Sequence, residues 1–187
     1  MLKKDLRQKY KELRKSLSIN EIDELSIAIA NNTLTLPIWD KDTFHVFLPI
    51  ERLNEVNTEF IMHILQGKDK NIVISKSNFE THEMSHYLLT DNTKFQTNEY
   101  GIPEPTNGIA INTQNIEVVF VPLLTFDKKG NRIGYGKGFY DIFLNQCKTN
   151  TIKIGVSFFN VEEEITDIHE HDIKLDFCIT PYKIYTF

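Results

Sequence analysis

The first 34 residues carry the periodicity of two α-helices. Apolar side chains recur every three or four positions along the first of them, at Leu2, Leu6, Tyr10, Leu13 and Leu17. Lys and Arg occupy many of the positions between, which predicts a basic amphipathic helix. Ser18 followed by Glu21 matches the capping box that starts a helix, and Pro37 ends that helix soon after Leu34. Two consecutive helices are therefore predicted over residues 2–34.

Beyond residue 40, short apolar runs alternate with helical segments. Strands are predicted over residues 43–48, 71–75, 85–89, 118–121, 151–156 and 177–180. Helices are predicted over residues 59–66 and from about 138 to 146. The run at 118–121 is entirely β-branched or aromatic, which is typical of a buried parallel strand, whereas the prolines at 101–105 impose an irregular extended stretch. We expect an α/β fold, a three-layer sandwich with a largely parallel central sheet flanked by helices, in one domain over residues 1–187.

Composition and charge exclude several classes of protein. The 187 residues are 41% hydrophobic and 25% charged, as in ordinary globular domains. With 21 basic and 26 acidic residues the net charge is −5, which disfavours non-specific nucleic-acid binding. Cys147 and Cys178 form no metal-binding or redox pair and are expected to be free thiols. No secretory signal and no membrane-spanning run is visible, so we expect a cytoplasmic protein without a membrane partner.

The segment from residue 130 to 141, Gly-Asn-Arg-Ile-Gly-Tyr-Gly-Lys-Gly-Phe-Tyr-Asp, carries the chemistry and is called the glycine motif below. Three glycines alternate within it, at Gly134, Gly136 and Gly138. Glycines before a helix allow backbone N–H groups to approach an anion closely. Arg132 and Lys137 can hold phosphate, and Asp141 in the first helical turn can hold magnesium. The spacing matches neither the Walker A motif nor the dinucleotide fingerprint, and a flexible turn with solvated charges is the alternative.

The glycine motif and the residues before it resemble the 5-formyltetrahydrofolate cyclo-ligase family. That family's pattern, V-P, then F-D, then G-x-R-x-G-x-G-x-G-x-Y-D, stands here at residues 121–122, 126–127 and 130–141. Weaker family patterns match at residues 3–7, 55–58, 101–105 and 171–180, in the same order. The likeness thus covers nearly the whole chain, although Asn160 stands near a position where many relatives carry glutamine.

The resemblance implies an enzyme that uses ATP and Mg²⁺ to convert 5-formyltetrahydrofolate, with or without a polyglutamate tail, to 5,10-methenyltetrahydrofolate. The formyl oxygen would be phosphorylated, N10 would close the ring, and ADP and phosphate would be released, a reaction that needs positioning and charge neutralisation.

The resemblance also implies a role for each matching residue. The residues implied to bind ATP are Lys3, Lys4, Arg7, Arg132, Gly134, Tyr135, Gly136, Lys137, Gly138 and Tyr140. Of these, Arg132, Lys137 and Tyr140 would be catalytic. Glu55 and Tyr140 would contact the folate, and Asp141 with Asp172 would hold the metal. We expect a monomer.

Other interpretations of the same residues remain open at this stage. Lys3, Lys4 and Arg7 match the solvated face of a helix, Glu55 an ordinary loop acid, and Glu104 a turn between prolines. The cluster from His169 to Asp172 matches a transition-metal site only weakly, since no further ligand is near in sequence. The alternative functions are a small-molecule kinase or another ATP-dependent ligase, and a non-catalytic regulator that binds nucleotide or folate.

Overall fold

The computed structural model describes residues 1–187 and contains a central eight-stranded sheet with four α-helices. The helices are α1 (Lys3–Lys15), α2 (Ile19–Thr33), α3 (Glu59–Gly67) and α4 (Phe139–Gln146). The strands are β1 (Thr43–His45), β2 (Asn71–Asn78), β3 (Glu83–Leu88), β4 (Phe95–Thr97), β5 (Pro103–Pro105), β6 (Ile109–Ala110), β7 (Val118–Pro122), β8 (Thr125–Phe126), β9 (Arg132–Ile133), β10 (Ile152–Val156), β11 (Phe177–Ile179) and β12 (Ile184–Thr186).

The central sheet has the order β12-β11-β10-β7-β1-β2-β3-β6. Its middle five strands, from β11 to β2, are parallel, while β12 and β3 run antiparallel to their neighbours and β6 antiparallel to β3. Separate two-stranded sheets join β4 to β5 and β8 to β9. The predicted largely parallel sheet is confirmed, with β7 at its centre.

Alternate side chains of the central strands enter two different cores, which defines the three layers. Val118 and Phe120 of β7 lie in the core covered by α2 and α3, whereas Val119 and Val121 lie in the core covered by α4. Because successive strand residues point to opposite faces, an uninterrupted apolar run is needed when both faces are covered. A third, smaller core holds α1 against β8 and β9 through Leu6, among others.

The N-terminal helices form for the reasons that their sequence indicates. The capping box at Ser18 is present, since Glu21 N–H donates to Ser18 Oγ at 3.3 Å and Ser18 N–H donates to Glu21 Oε2 at 2.8 Å. Leu2 and Leu13 are exposed, however, while Arg14 is buried. The buried face of α1 is thus partly cationic rather than wholly apolar.

The structure departs from the predicted strands mainly where pairing is short. The strand predicted over 43–48 ends at His45, because the chain then turns away to form the loop that carries Glu55. The proline stretch is extended as expected, and its Pro103–Pro105 portion pairs with Phe95–Thr97, a strand that was not predicted. Strands β6, β8, β9 and β12 were also not predicted. None of the helices has the length and apolarity that crossing a membrane requires.

Candidate active site

A cavity of about 500 Å³ opens at the carboxyl ends of the parallel strands. His45 at the end of β1, Ser75 in β2 and Pro122 at the end of β7 contribute to its floor. Ligand sites in open α/β sheets lie at this edge, where loops after neighbouring strands converge. The cavity volume lies in the range of sites that bind drug-sized molecules.

The lining of the cavity is strongly basic, although the whole chain is acidic. Eight lining residues are cationic: Lys3, Arg7, Lys11, Arg14, Lys15, Arg52, Arg132 and Lys137. Three are acidic: Glu55, Asp141 and Asp172. This excess of five positive charges is concentrated in one concave surface, where it attracts a polyanion.

Helix α1 directs part of its basic face into the cavity. Lys3 is 7% exposed and forms an ion pair with Asp172, and Arg7 Nε donates to Gly134 O at 3.1 Å. The solvated-face interpretation is therefore wrong for Lys3 and Arg7. Lys4 points elsewhere: it is exposed and does not line the cavity. The other predicted site residues do line it.

The glycine motif turns sharply before α4 and approaches α1 closely. Gly138 is the N-cap of α4 with φ = 78°, and Gly136 has φ = 88°, both in the left-handed region that favours glycine. A Cβ atom at Gly136 would lie 3.2 Å from Cζ of Arg7. The absence of a side chain at this position thus allows the Arg7 guanidinium to pack over the motif.

Two carboxylates of the cavity are held by cations and by the segment around Ile173. Arg132 Nη2 lies 2.6 Å from Asp141 Oδ1, and Arg132 Nη1 donates to Ile173 O. Ile173 N–H donates in turn to Asp141 Oδ1 at 3.2 Å, which places Asp141 beside the residue that follows Asp172. Burial acts to raise the pKa of Asp172, but hydrogen bonds from Lys3 and from His169 N–H lower it below its ordinary value.

The donor set around Asp141 and Asp172 fits magnesium held jointly with phosphate. Magnesium is commonly bound by one or two carboxylates together with phosphate oxygens and water. No group of three or more His, Cys, Asp or Glu residues comes together in the structure. The two carboxylates suit a metal that a phosphate ligand helps to hold, rather than a closed site made by the protein alone.

Lys137 differs from the paired cations of the cavity. It is exposed and forms no ion pair, while its backbone oxygen lies 3.1 Å from Nδ1 of His82. An unpaired ammonium group at the rim can follow a mobile anionic group without first breaking an existing ion pair.

Glu55 is buried beside Arg14 and beside Tyr135, a residue of the glycine motif. Ile50 N–H donates to Glu55 Oε2 at 2.8 Å, and Arg14 Nη1 donates to the Tyr135 hydroxyl at 2.6 Å. Burial raises the pKa of Glu55 above its ordinary value, and the positive charge of Arg14 opposes this shift. Burial also raises the pKa of Tyr140, which keeps its hydroxyl protonated as a donor. Glu55 is therefore not an ordinary exposed loop acid.

The lining residues that were not predicted from the sequence include the cations Lys11, Arg14, Lys15 and Arg52 and a group of uncharged or aromatic residues. This neutral group consists of His45, Ser75, Phe79, Tyr100 and Phe139. The ring centroids of Phe79 and Tyr100 are 4.2 Å apart, and those of Phe79 and Phe139 are 5.1 Å apart. Such a group suits a flat, uncharged ring system next to the basic residues.

His45 and Ser75 belong to a buried hydrogen-bonded row that includes His86. His45 Nε2 lies 2.7 Å from Ser75 Oγ, and His86 Nδ1 lies 2.8 Å from the same oxygen. Burial lowers the pKa of His45 well below its usual range and lowers the pKa of His86 to about 4. His45 is a polar residue between the apolar Phe44 and Val46, and this interruption of a predicted strand is the signal in the sequence that could have identified it.

The parallel sheet, the cavity at its carboxyl edge and the clustered cations define an α/β protein with a site for a polyanion joined to a flat ring. Comparison with known proteins narrows this class. Residues 1–181 match the model of the 5-formyltetrahydrofolate cyclo-ligase family. The chain therefore belongs to the 5-formyltetrahydrofolate cyclo-ligase family, which confirms the resemblance, and it is an enzyme of the cyclo-ligase class.

Individual relatives agree with the family assignment. The chain is 30% identical over 183 residues to a probable 5-formyltetrahydrofolate cyclo-ligase of Schizosaccharomyces pombe, covering 87% of each chain. It is 27% identical over 186 residues to the 5-formyltetrahydrofolate cyclo-ligase of Mus musculus, covering 93% of this chain and 91% of that one. Its fold matches the NMR structure of Aquifex aeolicus 5,10-methenyltetrahydrofolate synthetase with a TM-score of 0.84 and 30% identity, over 100% of this chain and 93% of that one.

Proposed function

We propose that this protein catalyses the ATP- and magnesium-dependent conversion of 5-formyltetrahydrofolate to 5,10-methenyltetrahydrofolate, with release of ADP and phosphate. The observation that carries the proposal is the composition of one cavity. It combines an excess of five positive charges, suited to a triphosphate, with an uncharged aromatic group suited to a pterin ring.

The basic residues would bind and neutralise the phosphates. Lys3 and Arg7 reach the cavity from α1, and Arg132 reaches it from β9. Lys3 and Arg132 are held by Asp172 and Asp141, so they are oriented before a ligand arrives. Lys137 is unpaired and exposed, and as part of the glycine motif it can approach the phosphoryl group during transfer.

The reaction chemistry divides between the co-substrate and the protein. When bound, ATP would supply the phosphoryl group that converts the formyl oxygen into a leaving group, and Mg²⁺ held by Asp141 and Asp172 would offset phosphate charge. Glu55 and Tyr140, which both line the cavity, would hold the folate beside the transferring group. His45 Nε2 lies 2.7 Å from Ser75 Oγ in the lining, but the proposed reaction uses neither residue as nucleophile or base and proceeds by positioning and charge neutralisation.

The direct test is the appearance of methenyl-folate absorbance after purified protein is mixed with 5-formyltetrahydrofolate, ATP and magnesium. We expect absorbance to rise with all components present and to stay flat when either ATP or magnesium is omitted. Folded protein that binds ATP yet yields no methenyl product would overturn the proposed reaction.

We propose a cytoplasmic location, and the state of the two cysteines supports it. Cys147 and Cys178 are buried free thiols, and burial raises the pKa of Cys147 to about 11. Unpaired, protonated thiols suit a reducing compartment, and we place the proposed activity in the cytoplasm.

A further inference from the structure

Three polar side chains, His45, Ser75 and His86, form a row across β1, β2 and β3 on the face of the sheet that packs against α4. Ser75 and His86 are direct partners in the antiparallel register of β2 and β3. His45 stands in register with Val73 and Val119, both of which belong to the core under α4. Phe143 of α4 covers both imidazoles, with ring centroids 4.9 and 4.2 Å away. Burying polar groups in such a face is costly unless their hydrogen bonds are satisfied.

The hydrogen bonds of this row can be counted. Ser75 Oγ has one proton and two lone pairs, and one nitrogen of each imidazole lies within hydrogen-bond distance of it. The remaining nitrogens, His45 Nδ1 and His86 Nε2, are buried without a partner. If Ser75 donated to one imidazole, that ring would carry its proton on its buried outer nitrogen, with no acceptor. Orphaned N–H donors are rarer in proteins than orphaned acceptors, so the favoured arrangement has both imidazoles donating to Ser75.

In this arrangement the Ser75 hydroxyl proton is directed to the cavity. Both lone pairs of Ser75 are filled, and Ser75 and His45 line the cavity while His86 lies behind them. The lowered pKa values of the two histidines keep each ring neutral near pH 7, with a single N–H to donate. A hydroxyl with both lone pairs filled can only donate, so it selects an acceptor atom.

We propose that Ser75 donates a hydrogen bond to a carbonyl oxygen of 5-formyltetrahydrofolate, with His45 and His86 as positioning residues that turn its hydroxyl to the substrate. The proposal rests on the proposed function, because it names a contact for the same substrate. The ring system and the formyl group of that substrate both carry carbonyl oxygens, and Ser75 lies within the neutral group that suits an uncharged ring.

The test compares ligand affinities of the full-length protein and its variants by calorimetric titration. In Ser75→Ala we expect the Kd for 5-formyltetrahydrofolate to rise about tenfold, the order expected for one buried hydrogen bond, and the Kd for ATP to change less than about twofold. Ser85→Ala is the matched control. Ser85 lies in β3 next to His86, is exposed and does not line the cavity, so the Kd values of this variant should stay at the wild-type level.

Two further variants separate a positioning role from a structural one. His86→Leu removes a residue that does not line the cavity, yet it should also raise the folate Kd about tenfold, because Ser75 then loses one of its two orienting donors. Ser75→Thr keeps the hydroxyl and should bind folate within about threefold of the wild type. A merely structural row would instead lower the thermal midpoint of Ser75→Ala and His86→Leu without changing the folate Kd, and that result would overturn the proposal.

Failure of the proposed function gives a different pattern. A wild-type protein that neither binds 5-formyltetrahydrofolate nor forms the methenyl product overturns both proposals. A wild-type protein that turns over, with an unchanged folate Kd in Ser75→Ala, overturns only the role of Ser75.

Discussion

Basic residues that share one cavity differ in how much freedom each side chain keeps. Lys3 is buried and paired with Asp172, and Arg132 is paired with Asp141, so both act as fixed charges. Lys137 is exposed and unpaired. Fixed charges suit the parts of a ligand that stay in place, whereas a free ammonium suits charge that moves during the reaction.

Replacement of Lys137 should therefore reduce turnover more than binding. In Lys137→Ala we expect kcat to fall about 100-fold or more, the range seen when one charge-stabilising donor is removed, with a normal thermal midpoint. Methenyl-folate formation under saturating ATP measures the effect. Lys148→Ala, at an exposed position just after α4 and outside the cavity, is the control. Turnover near the wild-type level in folded Lys137→Ala would remove Lys137 from the mechanism.

The buried histidines should make stability depend on pH in a defined window. Burial lowers the pKa of His86 to about 4 from an ordinary value of 6.5, so between these values the unfolded chain binds a proton that the folded chain does not. The contribution of neutral, buried His86 to the free energy of unfolding is therefore fully present above pH 6.5 and is lost as the pH falls towards 4. His45, which faces His86 across Ser75, adds to the effect in the same direction.

Urea unfolding at pH 7.5 and pH 5.0 tests this linkage. Between these pH values the wild type should lose about 2 kcal/mol more free energy of unfolding than His86→Leu, because that variant lacks one of the two proton-linked groups. Equal losses in the two proteins would show that His86 titrates normally in the folded state.

At the scale of elements, the glycine motif and α1 are in direct contact. Arg7 of α1 packs over Gly136 and donates to Gly134 O, while Gly138 starts α4. The two glycines named in the contact with Arg7 are not equivalent. Gly136 is in the left-handed region and close to Arg7, whereas Gly134 has open space around its Cβ position.

This difference gives a matched pair of substitutions. Gly136→Ala should weaken ATP binding by about tenfold or more, because the new methyl group strains the backbone and displaces the Arg7 guanidinium. Gly134→Ala should leave the ATP Kd within about threefold of the wild type. Titration of both variants with ATP measures the two Kd values. Equal affinities would contradict the role assigned to the contact between Arg7 and Gly136.

The elements themselves differ in how far the sequence indicates them. Strand β7 and helix α2 were predicted because a continuous apolar run and a capping box are local signals, and both are present. Strands β8 and β9 are two residues each and exist because α1 packs on them, a contact between distant parts of the chain. No local periodicity can encode such a pairing.

The residues of the candidate site also differ in how far the sequence indicates them. The glycine motif was recognisable because its residues are consecutive, and the structure places them around the cavity. The row of His45, Ser75 and His86 was not recognisable, since strand pairing brings together residues 30 and 11 positions apart. Arg14 was likewise assigned to no function, because helical periodicity does not show that its guanidinium reaches Tyr135.

At the scale of the whole molecule, α1 is attached differently from the other helices. Helices α2 and α3 contribute to a core cluster of 19 buried residues, whereas α1 contributes to a cluster of only five and also forms ion pairs. Its ion-pair partners include Asp172 and Glu162. A small apolar contact and two ion pairs at or near the surface contribute less stability than a large core, so α1 should open before the sheet does.

Amide hydrogen exchange tests this order. Amides of α1 should exchange faster than those of β7, and addition of ATP with magnesium should slow exchange in α1 selectively, because Lys3 and Arg7 would then be held by the ligand. Exchange in α1 as slow as in β7 before ligand is added would contradict the prediction.

The pairing of Lys3 with Asp172 also bears on how the protein is made. Helix α1 leaves the ribosome before the partner segment, which at about 5–20 residues per second follows on the order of ten seconds later. During that interval the Asp172 carboxylate is not available to Lys3, so the part of the cavity that α1 lines is not yet formed in the nascent chain. Messenger damage or stalling before residue 172 would consequently yield chains without enzymatic activity, however well their central strands had paired. The cavity can thus close only after the segment that carries Asp172 has left the ribosome and reached α1.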